Sequence, residues 1–546
     1  MELNLAEAHE HLAAALGDRP CLIWRGRTWT WAEVTERTRR FANLLLAHGI
    51  TRRRALADCE PWESPHDHVG LYLQNDPAYL EAMLGSAKAG AAAFNVNYRY
   101  VADELTHLFD DASTAAIVYH GRFAGALAAV LPRLAVRPRL LLRVDDGSGD
   151  ELLPGALDYE AALAAADPAR PAVEWLPDDF YVVYTGGTTG APKGVLWRQA
   201  DFLVSALGVR RGDGTDLGGY DELVATARGR ELRALPAPPL MHGAAHWNAI
   251  SAWLGGGTVV MQDRTDRLDP ADVLDVCERH AVTSLLIVGD AFARPLADEL
   301  AARPRDLRAL RFLLTGGAIL SPALRAELLD ALPGLRIVDV LGSSESGRQA
   351  VARAGGPAEH RFAPSATTVI LSEDRSRLLD RGERDAGWLA QGGRIPRGYL
   401  GDPVKSAETF PLVGGRRYSV PGDRAAWAPD GSVVLHGRDS VTINTGGEKV
   451  FAEEVEAAVK AHPGVYDALV VGRPSERWGR EVVAVVAPRP GAELTLEELR
   501  EAAAAHLARY KLPKDLVLVD HVQRSPSGKP DYRWALEVAT AADLAG

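Results

Sequence analysis

The chain has 546 residues, too many for one hydrophobic core, so two or more domains are expected. Its 47% hydrophobic and 25% charged residues are those of an ordinary globular protein, and a net charge of −12 argues against a nucleic-acid partner. Cys21, Cys59 and Cys277 are too few and too far apart for a disulfide framework; without a leader or a long apolar run, a cytoplasmic chain with no transmembrane segment is expected.

Asn4-x-x-Glu7 and Thr30-x-x-Glu33 read as capping boxes opening two helices, the second with Val34, Phe41 and Leu45 at helical spacing. Between them, apolar residues flank Arg25-Gly26-Arg27 as in a hairpin. Apolar strands then alternate with helices: strand 69–73, helix 77–89, strands 91–94 and 115–119. That rhythm predicts a largely parallel sheet covered by helices. The polar insertion 58–68 carries Cys59, His66 and His68, which could bind a metal, but no fourth ligand follows at a standard spacing. Segment 123–177, rich in Ala and Pro, reads as helices and loops without a motif.

A second α/β unit follows, with strands 284–288, 311–315 and 336–341 and helices opened by Asp269-Pro270 and Ser321-Pro322. From about 367 to 437, short strands broken by Gly and Pro predict a small β subdomain. After that come strand 441–444, helix 451–461, strands 465–471 and 482–487, a helix opened by Thr495-x-x-Glu498, and strand 516–520. The expected fold is α/β: a large N-terminal domain (1–438) of two α/β subdomains plus a β subdomain, then a small mobile α+β C-terminal domain (439–546).

The most informative stretch is Tyr184-Thr-Gly-Gly-Thr-Thr-Gly-Ala-Pro-Lys-Gly194, which lies between two apolar runs. Glycines allow close backbone approach, successive N–H groups form an anion-binding concavity, and the threonines and Lys193 add donors and charge. It is a phosphate cradle formed by Thr185, Gly186, Gly187, Thr188, Thr189, Gly190 and Lys193, and its spacing is not that of a Walker A loop. Asp339-Val-Leu-Gly-Ser-Ser-Glu-Ser-Gly347 places a carboxylate at the end of a buried strand, where α/β sheets bind ligands. Beside a phosphate cradle, Glu345 is a candidate Mg²⁺ ligand.

The cradle resembles the T-S-G-T-T-G-x-P-K-G signature of the adenylate-forming enzymes (acyl-CoA synthetases, adenylation domains and luciferases), with Gly186 replacing serine. The 339–347 block resembles their Y-G-x-T-E motif, with Leu341 where an aromatic stacks on adenine and Ser344 where threonine is usual. The resemblance implies nucleotide contacts from Asp339, Leu341, Gly342, Ser343 and Ser344, and from Gly317 and Ala318 in Gly316-Gly-Ala318. It implies ribose contacts from Asp423 and Arg438, and a His242 bordering the acyl and pantetheine passages. Gly446, Gly447 and Lys449 match the loop that meets pantetheine, and Asp439 and Ser440 match the hinge, Ser440 standing where a charged residue is usual. Lys529, in Arg524-Ser-Pro-Ser-Gly-Lys529, matches the lysine that stabilises charge at the α-phosphate. His246, Trp247 and Trp253, with the Gly-rich stretch 208–229, are candidates to shape the acyl pocket.

The implied activity is an AMP-forming acyl-CoA ligase using ATP, CoA and Mg²⁺ on a hydrophobic carboxylic acid, fatty or bulky polycyclic. The 185–190, 197–199 and 443–449 stretches look closest to actinobacterial fatty-acid and steroid-acid ligases. Loading of a carrier protein and a non-catalytic nucleotide- or acyl-binding paralogue are the alternatives, and a homodimer is common among the enzymes it resembles. No Asp stands between Met241 and Trp247 to pair with an α-amine, which favours an acid lacking that group.

Overall fold

The computed structural model describes residues 2–185, 192–353, 361–445, 448–475 and 478–545. The first α/β unit is a five-stranded sheet in the order Ala92–Asn95, His68–Tyr72, Thr114–His120, Leu140–Val144, Leu157–Asp158, with every pairing parallel. Its central strands are buried along their whole length, as parallel strands covered on both faces must be. Strand Leu140–Val144 lies inside the segment read as helices and loops. Its apolar run is too short to separate from a buried helix turn by pattern alone.

The second sheet is larger than the sequence suggests. Parallel strands Arg336–Ser343, Phe312–Gly316, Ser284–Ile287, Arg233–Pro236, Thr258–Val260 and Pro20–Trp24 form its core. The N-terminal hairpin joins its edge, so residues before the first α/β unit complete the second. Arg25 and Gly26 both have positive φ, as a two-residue hairpin turn of matching twist requires. At the other edge, Gly347–Arg353 and Arg361–Pro364 turn antiparallel and carry the strands of the β region, continuing one thirteen-stranded sheet.

Thr30 and Glu33 cap each other as expected, whereas Asn4 caps its helix alone, accepting from the Ala6 and Glu7 amides. The C-terminal region has its own core: Val455 and Val459 of helix Ala452–Lys460 pack on Val470, Val482 and Val486 of the 465–475/479–488 hairpin. No helix among the described residues is long and apolar enough to cross a membrane.

Candidate active site

The register of the parallel core sets the site. Pro236 pairs with Leu286, Leu286 with Leu314 and Leu314 with Val338, so four strands end at one edge. The segments that leave this edge carry His242, Gly289, Gly317 and Glu345, and a carboxyl edge of parallel strands is where such sheets bind ligands. Gly317 has φ +80, and at Gly289 (φ +53) a Cβ would lie 2.4 Å from the Ile319 carbonyl, so neither position admits a side chain without strain.

Residues 186–190 of the cradle lie outside the described residues, but its two ends are fixed. Thr185 and Lys193 are partners in an antiparallel pair, and a Cβ at Gly194 would fall 2.9 Å from the Tyr184 ring. The Tyr184 hydroxyl donates to Asp111 at 2.6 Å. Asn95 accepts from the Tyr184 amide and donates to the Tyr184 and Met241 carbonyls, all at 2.8 Å, so one amide ties the cradle strand to the His242 segment. Asn75 pins the same segment, accepting from Leu240 N–H at 2.6 Å and donating to the Pro238 carbonyl at 3.2 Å.

Tyr399 couples the cradle to Glu345. Strand Gly398–Tyr399 pairs beside Lys193–Arg198, and the Tyr399 hydroxyl donates to Glu345 Oε1 at 3.0 Å. The Lys193 ammonium stands 5.9 Å from the Tyr399 ring centroid and is ion-paired to Asp402. Burial and the Glu345 carboxylate hold the Tyr399 phenol well above its ordinary pKa, so it is a donor at every working pH. Ser419 Oγ donates to the Glu345 carbonyl at 2.6 Å, fixing the backbone as well.

Asp423 and Arg438 are cross-strand partners, 3.4 Å apart, with Asp423 buried. Lys529 comes to the same place from the C-terminal region. A Cβ on Gly317 would lie 3.9 Å from Lys529 Cε, and one on Gly528 (φ +74) 3.1 Å from the Val288 carbonyl. The Lys529 turn is closed by Ser525 N–H on the Lys529 carbonyl (2.9 Å) and braced by Arg524, which grips both oxygens of Asp467 at 2.7 and 2.8 Å. Burial works against the Asp467 carboxylate, but Lys460 and Arg524 outweigh it and hold its pKa at about 2. Lys460 also reaches Asp290 at 3.7 Å, joining this turn to the sheet edge.

By surface area the Lys529 side chain is exposed, yet protein crowds it at longer range, as in a cleft. That crowding governs its charge: desolvation lowers its pKa, Arg438 adds to the effect, and Glu345 opposes it. His242 feels Lys529 in turn. Burial, then Lys529, then His246 hold its imidazole neutral with a pKa of about 3, and its buried Nε2 has no hydrogen-bond partner among the described residues. A cleft thus gathers a carboxylate, a lysine, an arginine and a neutral histidine at the carboxyl edge of a parallel sheet.

Residues 9–394 match the AMP-binding enzyme family, and residues 454–529 match the AMP-binding enzyme C-terminal domain. The chain belongs to the AMP-binding enzyme family. It is 46% identical over 535 residues to the medium-chain acyl-CoA ligase Mig of Mycobacterium avium, covering 97% of this chain and 96% of that protein. It is 38% identical to the 3-oxocholest-4-en-26-oate–CoA ligase of Rhodococcus rhodochrous over 98% of this chain and 96% of that one. Among solved structures, anthranilate CoA ligase AuaEII in complex with anthranoyl-AMP shares the fold (TM-score 0.83, 19% identity), covering 100% of this chain and 98% of that one. The large N-terminal and small C-terminal domains of this AMP-binding enzyme are those of its structural neighbours.

Within this AMP-binding enzyme, several residues singled out by sequence lie elsewhere than expected. Trp253 is a core residue, 3% exposed, with its indole N–H on the Cys21 carbonyl at 3.0 Å. His246 is fully buried between the Leu240 carbonyl and the Tyr181 hydroxyl and is likewise structural. Trp247, half-buried over Gly243 with its indole N–H donating to Tyr181 Oη at 2.6 Å, is the least buried of the three. His66 and His68 use both ring nitrogens on the Gly90 carbonyl, Phe180 N–H, the Ala112 carbonyl and Ser64 Oγ. Among the described residues no trio of His, Cys, Asp or Glu could hold a metal.

Asp339 is ion-paired to Arg325, and half-buried Leu341 packs on the apolar cluster of Ile370, Leu389 and Val433. Gly342 faces the Gly347 carbonyl, which a Cβ would meet at 2.2 Å; Ser343 Oγ bonds Ser346 Oγ at 2.8 Å, and the Ser344 carbonyl accepts from Trp197. Ala318 packs against the core of the second sheet. Gly446 and Gly447 lie outside the described residues, while Lys449 is paired with Glu373 at 3.1 Å. Asp439 opens a short turn that includes Ser440. Asn75, Asn95, Tyr399 and Asp402 were not singled out from sequence, though Tyr399-Leu-Gly-Asp402-Pro carries a recognisable turn signal.

Proposed function

We propose that this enzyme is an ATP-dependent acyl-CoA ligase that converts a hydrophobic carboxylic acid to acyl-AMP with release of pyrophosphate, then passes the acyl group to CoA. The observation carrying this reading is Lys529, docked against Gly317 within the electrostatic reach of Glu345, Arg438 and His242. The relatives named above as CoA ligases at 38–46% identity over nearly the whole chain support the same class.

In the first half-reaction the acid's carboxylate attacks the α-phosphorus of ATP and pyrophosphate leaves. Lys529 offers its ammonium where charge builds on the α-phosphate, a type of contact worth roughly 10²–10³ in rate. Lys193 and the 185–190 cradle hold the outer phosphates, and Asp423 with Arg438 takes the ribose hydroxyls. Neutral His242 borders the acid without repelling Lys529. Glu345 fits Mg²⁺: its Oε1 is oriented by Tyr399, and its other oxygen has no protein hydrogen bond among the described residues. Bound there with phosphate oxygens and water, the ion would offset negative charge on the leaving pyrophosphate.

For the second half-reaction we place the domain boundary at Arg438–Asp439, with Asp439 and Ser440 as the hinge. Turning about it withdraws Lys529 and brings the Gly446–Gly447 loop with Lys449 toward the acyl-adenylate, so that the CoA thiol attacks the acyl carbon and AMP leaves. ATP and CoA as substrates fit a cytoplasmic place.

Pyrophosphate release with ATP, Mg²⁺ and short, long-chain, aromatic and polycyclic acids, with and without CoA, tests this reading. Turnover that requires one acid class and yields the CoA thioester is expected. Pyrophosphate without thioester for every pairing, or Lys529→Ala equal to the parent, would overturn it.

A further inference from the structure

Arg348 stands three residues beyond Glu345, on strand Gly347–Arg353, and is half-buried. Its one hydrogen bond among the described residues is long, 3.4 Å from Nη2 to the Leu207 carbonyl. A glycine makes room for it: Gly208 has φ +73, and a Cβ there would lie 3.0–3.2 Å from the guanidinium. Among the described residues, Arg210 is the charged neighbour it feels, and no carboxylate is paired with it. A guanidinium cannot shed its proton, so a desolvated one without a counter-charge is an unfinished site.

The same Leu207 carbonyl accepts from Ser251 Oγ at 2.7 Å, which ties Arg348 to helix Gly243–Leu254. Gly243, Trp247 and Ser251 recur at intervals of four and share one partly exposed face of that helix. That face starts beside His242 at the reacting end. Nine residues on, at Ser251, it has advanced about 13 Å. An acid lying along it, over the Trp247 indole, would bring its far end to Arg348.

Resting on the ligase reading above, we infer that Arg348 recognises an acceptor oxygen at the far end of the substrate acid, in the positive field that Arg210 adds to. The substrate class is thus an acid oxygenated about 13 Å from its reacting carboxylate, a second carboxylate being the best match for a guanidinium without a counter-charge and a ketone the next. Purely hydrocarbon acids leave Arg348 desolvated and unpaired, and so are disfavoured.

The test is kcat/KM for pyrophosphate release with three acids of matched length: unsubstituted, with a terminal ketone, and with a terminal carboxylate. The parent, Arg348→Met and Arg348→Lys are compared after thermal melts verify folding. The parent is expected to prefer both oxygenated acids. Arg348→Met should lower that preference about 10- to 100-fold, mainly through KM, the loss expected for a hydrogen bond to a charged group. Arg348→Lys should keep part of the preference for the dicarboxylate, as a point charge without a planar fork; if the Met variant does not fold, the Lys variant decides alone by losing the ketone preference. A parent indifferent to the far-end oxygen, or a variant that slows all three acids alike, overturns the inference and leaves the ligase reading standing. No turnover with any acid, in a parent that still binds ATP, overturns both.

Discussion

Tyr399→Phe isolates the coupling between the cradle and Glu345. The substitution keeps the ring that packs on Phe410 (centroids 5.7 Å apart), stands near Lys193 and pairs with Val195; it removes only the hydroxyl that donates to Glu345 at 3.0 Å. A hydrogen bond to a charged group is worth about 1.5–3 kcal/mol, and since Glu345 is only half-buried, water can replace part of it, leaving about 1–2 kcal/mol. That energy belongs to the orientation of a carboxylate toward Mg²⁺, so the half-saturating Mg²⁺ concentration should rise about 5- to 30-fold. The assay is pyrophosphate release titrated with Mg²⁺ at saturating ATP and acid, with Mg·ATP binding by calorimetry alongside. An unchanged Mg²⁺ dependence in a folded variant would refute the coupling, whatever happened to kcat.

Lys529→Ala should slow acyl-AMP formation about 10²- to 10³-fold while thioester formation from supplied acyl-AMP changes far less; equal losses in both halves would argue against its role. Leu341→Tyr should lower KM for ATP a few-fold, because a base stacks better on an aromatic ring than on leucine; a raised KM would show that the Ile370–Val433 cluster cannot admit the ring. His242, held neutral with a pKa of about 3, binds its proton in the unfolded chain first. Its contribution to stability is therefore full above about 6.5 and lost as pH falls toward 3, and His242→Asn should flatten Tm against pH in that window.

The chemistry was legible in the sequence where it is local. Cradle, Glu345 block and Lys529 turn are short runs marked by their glycines, hydroxyls and charges, and the structure brings Gly317, Glu345 and Lys529 within reach of one another. Residues that hold these runs together were not legible. Asn95 reaches Met241 across 146 positions and Tyr399 reaches Glu345 across 54, and no local pattern marks a side chain whose partner is that distant. Trp253 and His246, pocket candidates by residue type, are both buried in the core. They sit on the same helix as Trp247, and only the packing of helix Leu5–Leu16 and strands Arg233–Pro236 and Thr258–Val260 against that helix decides which face is core.

The docking of Lys529 bears on the proposal that one small domain serves two half-reactions. Lys460–Asp290 and Lys449–Glu373 cross between the C-terminal region and the rest; the second pair is solvent-exposed at both ends, and pairs of that kind are worth about 0–1 kcal/mol. The apolar set of the C-terminal region, by contrast, is satisfied internally by Val455, Val459, Val470 and Val486. A domain whose core is its own and whose cross-contacts include such weak ion pairs keeps its fold when those contacts break. The strong constraint, Arg524 clamped on Asp467, lies within the C-terminal region, so the Lys529 turn would keep its shape under the rotation proposed above.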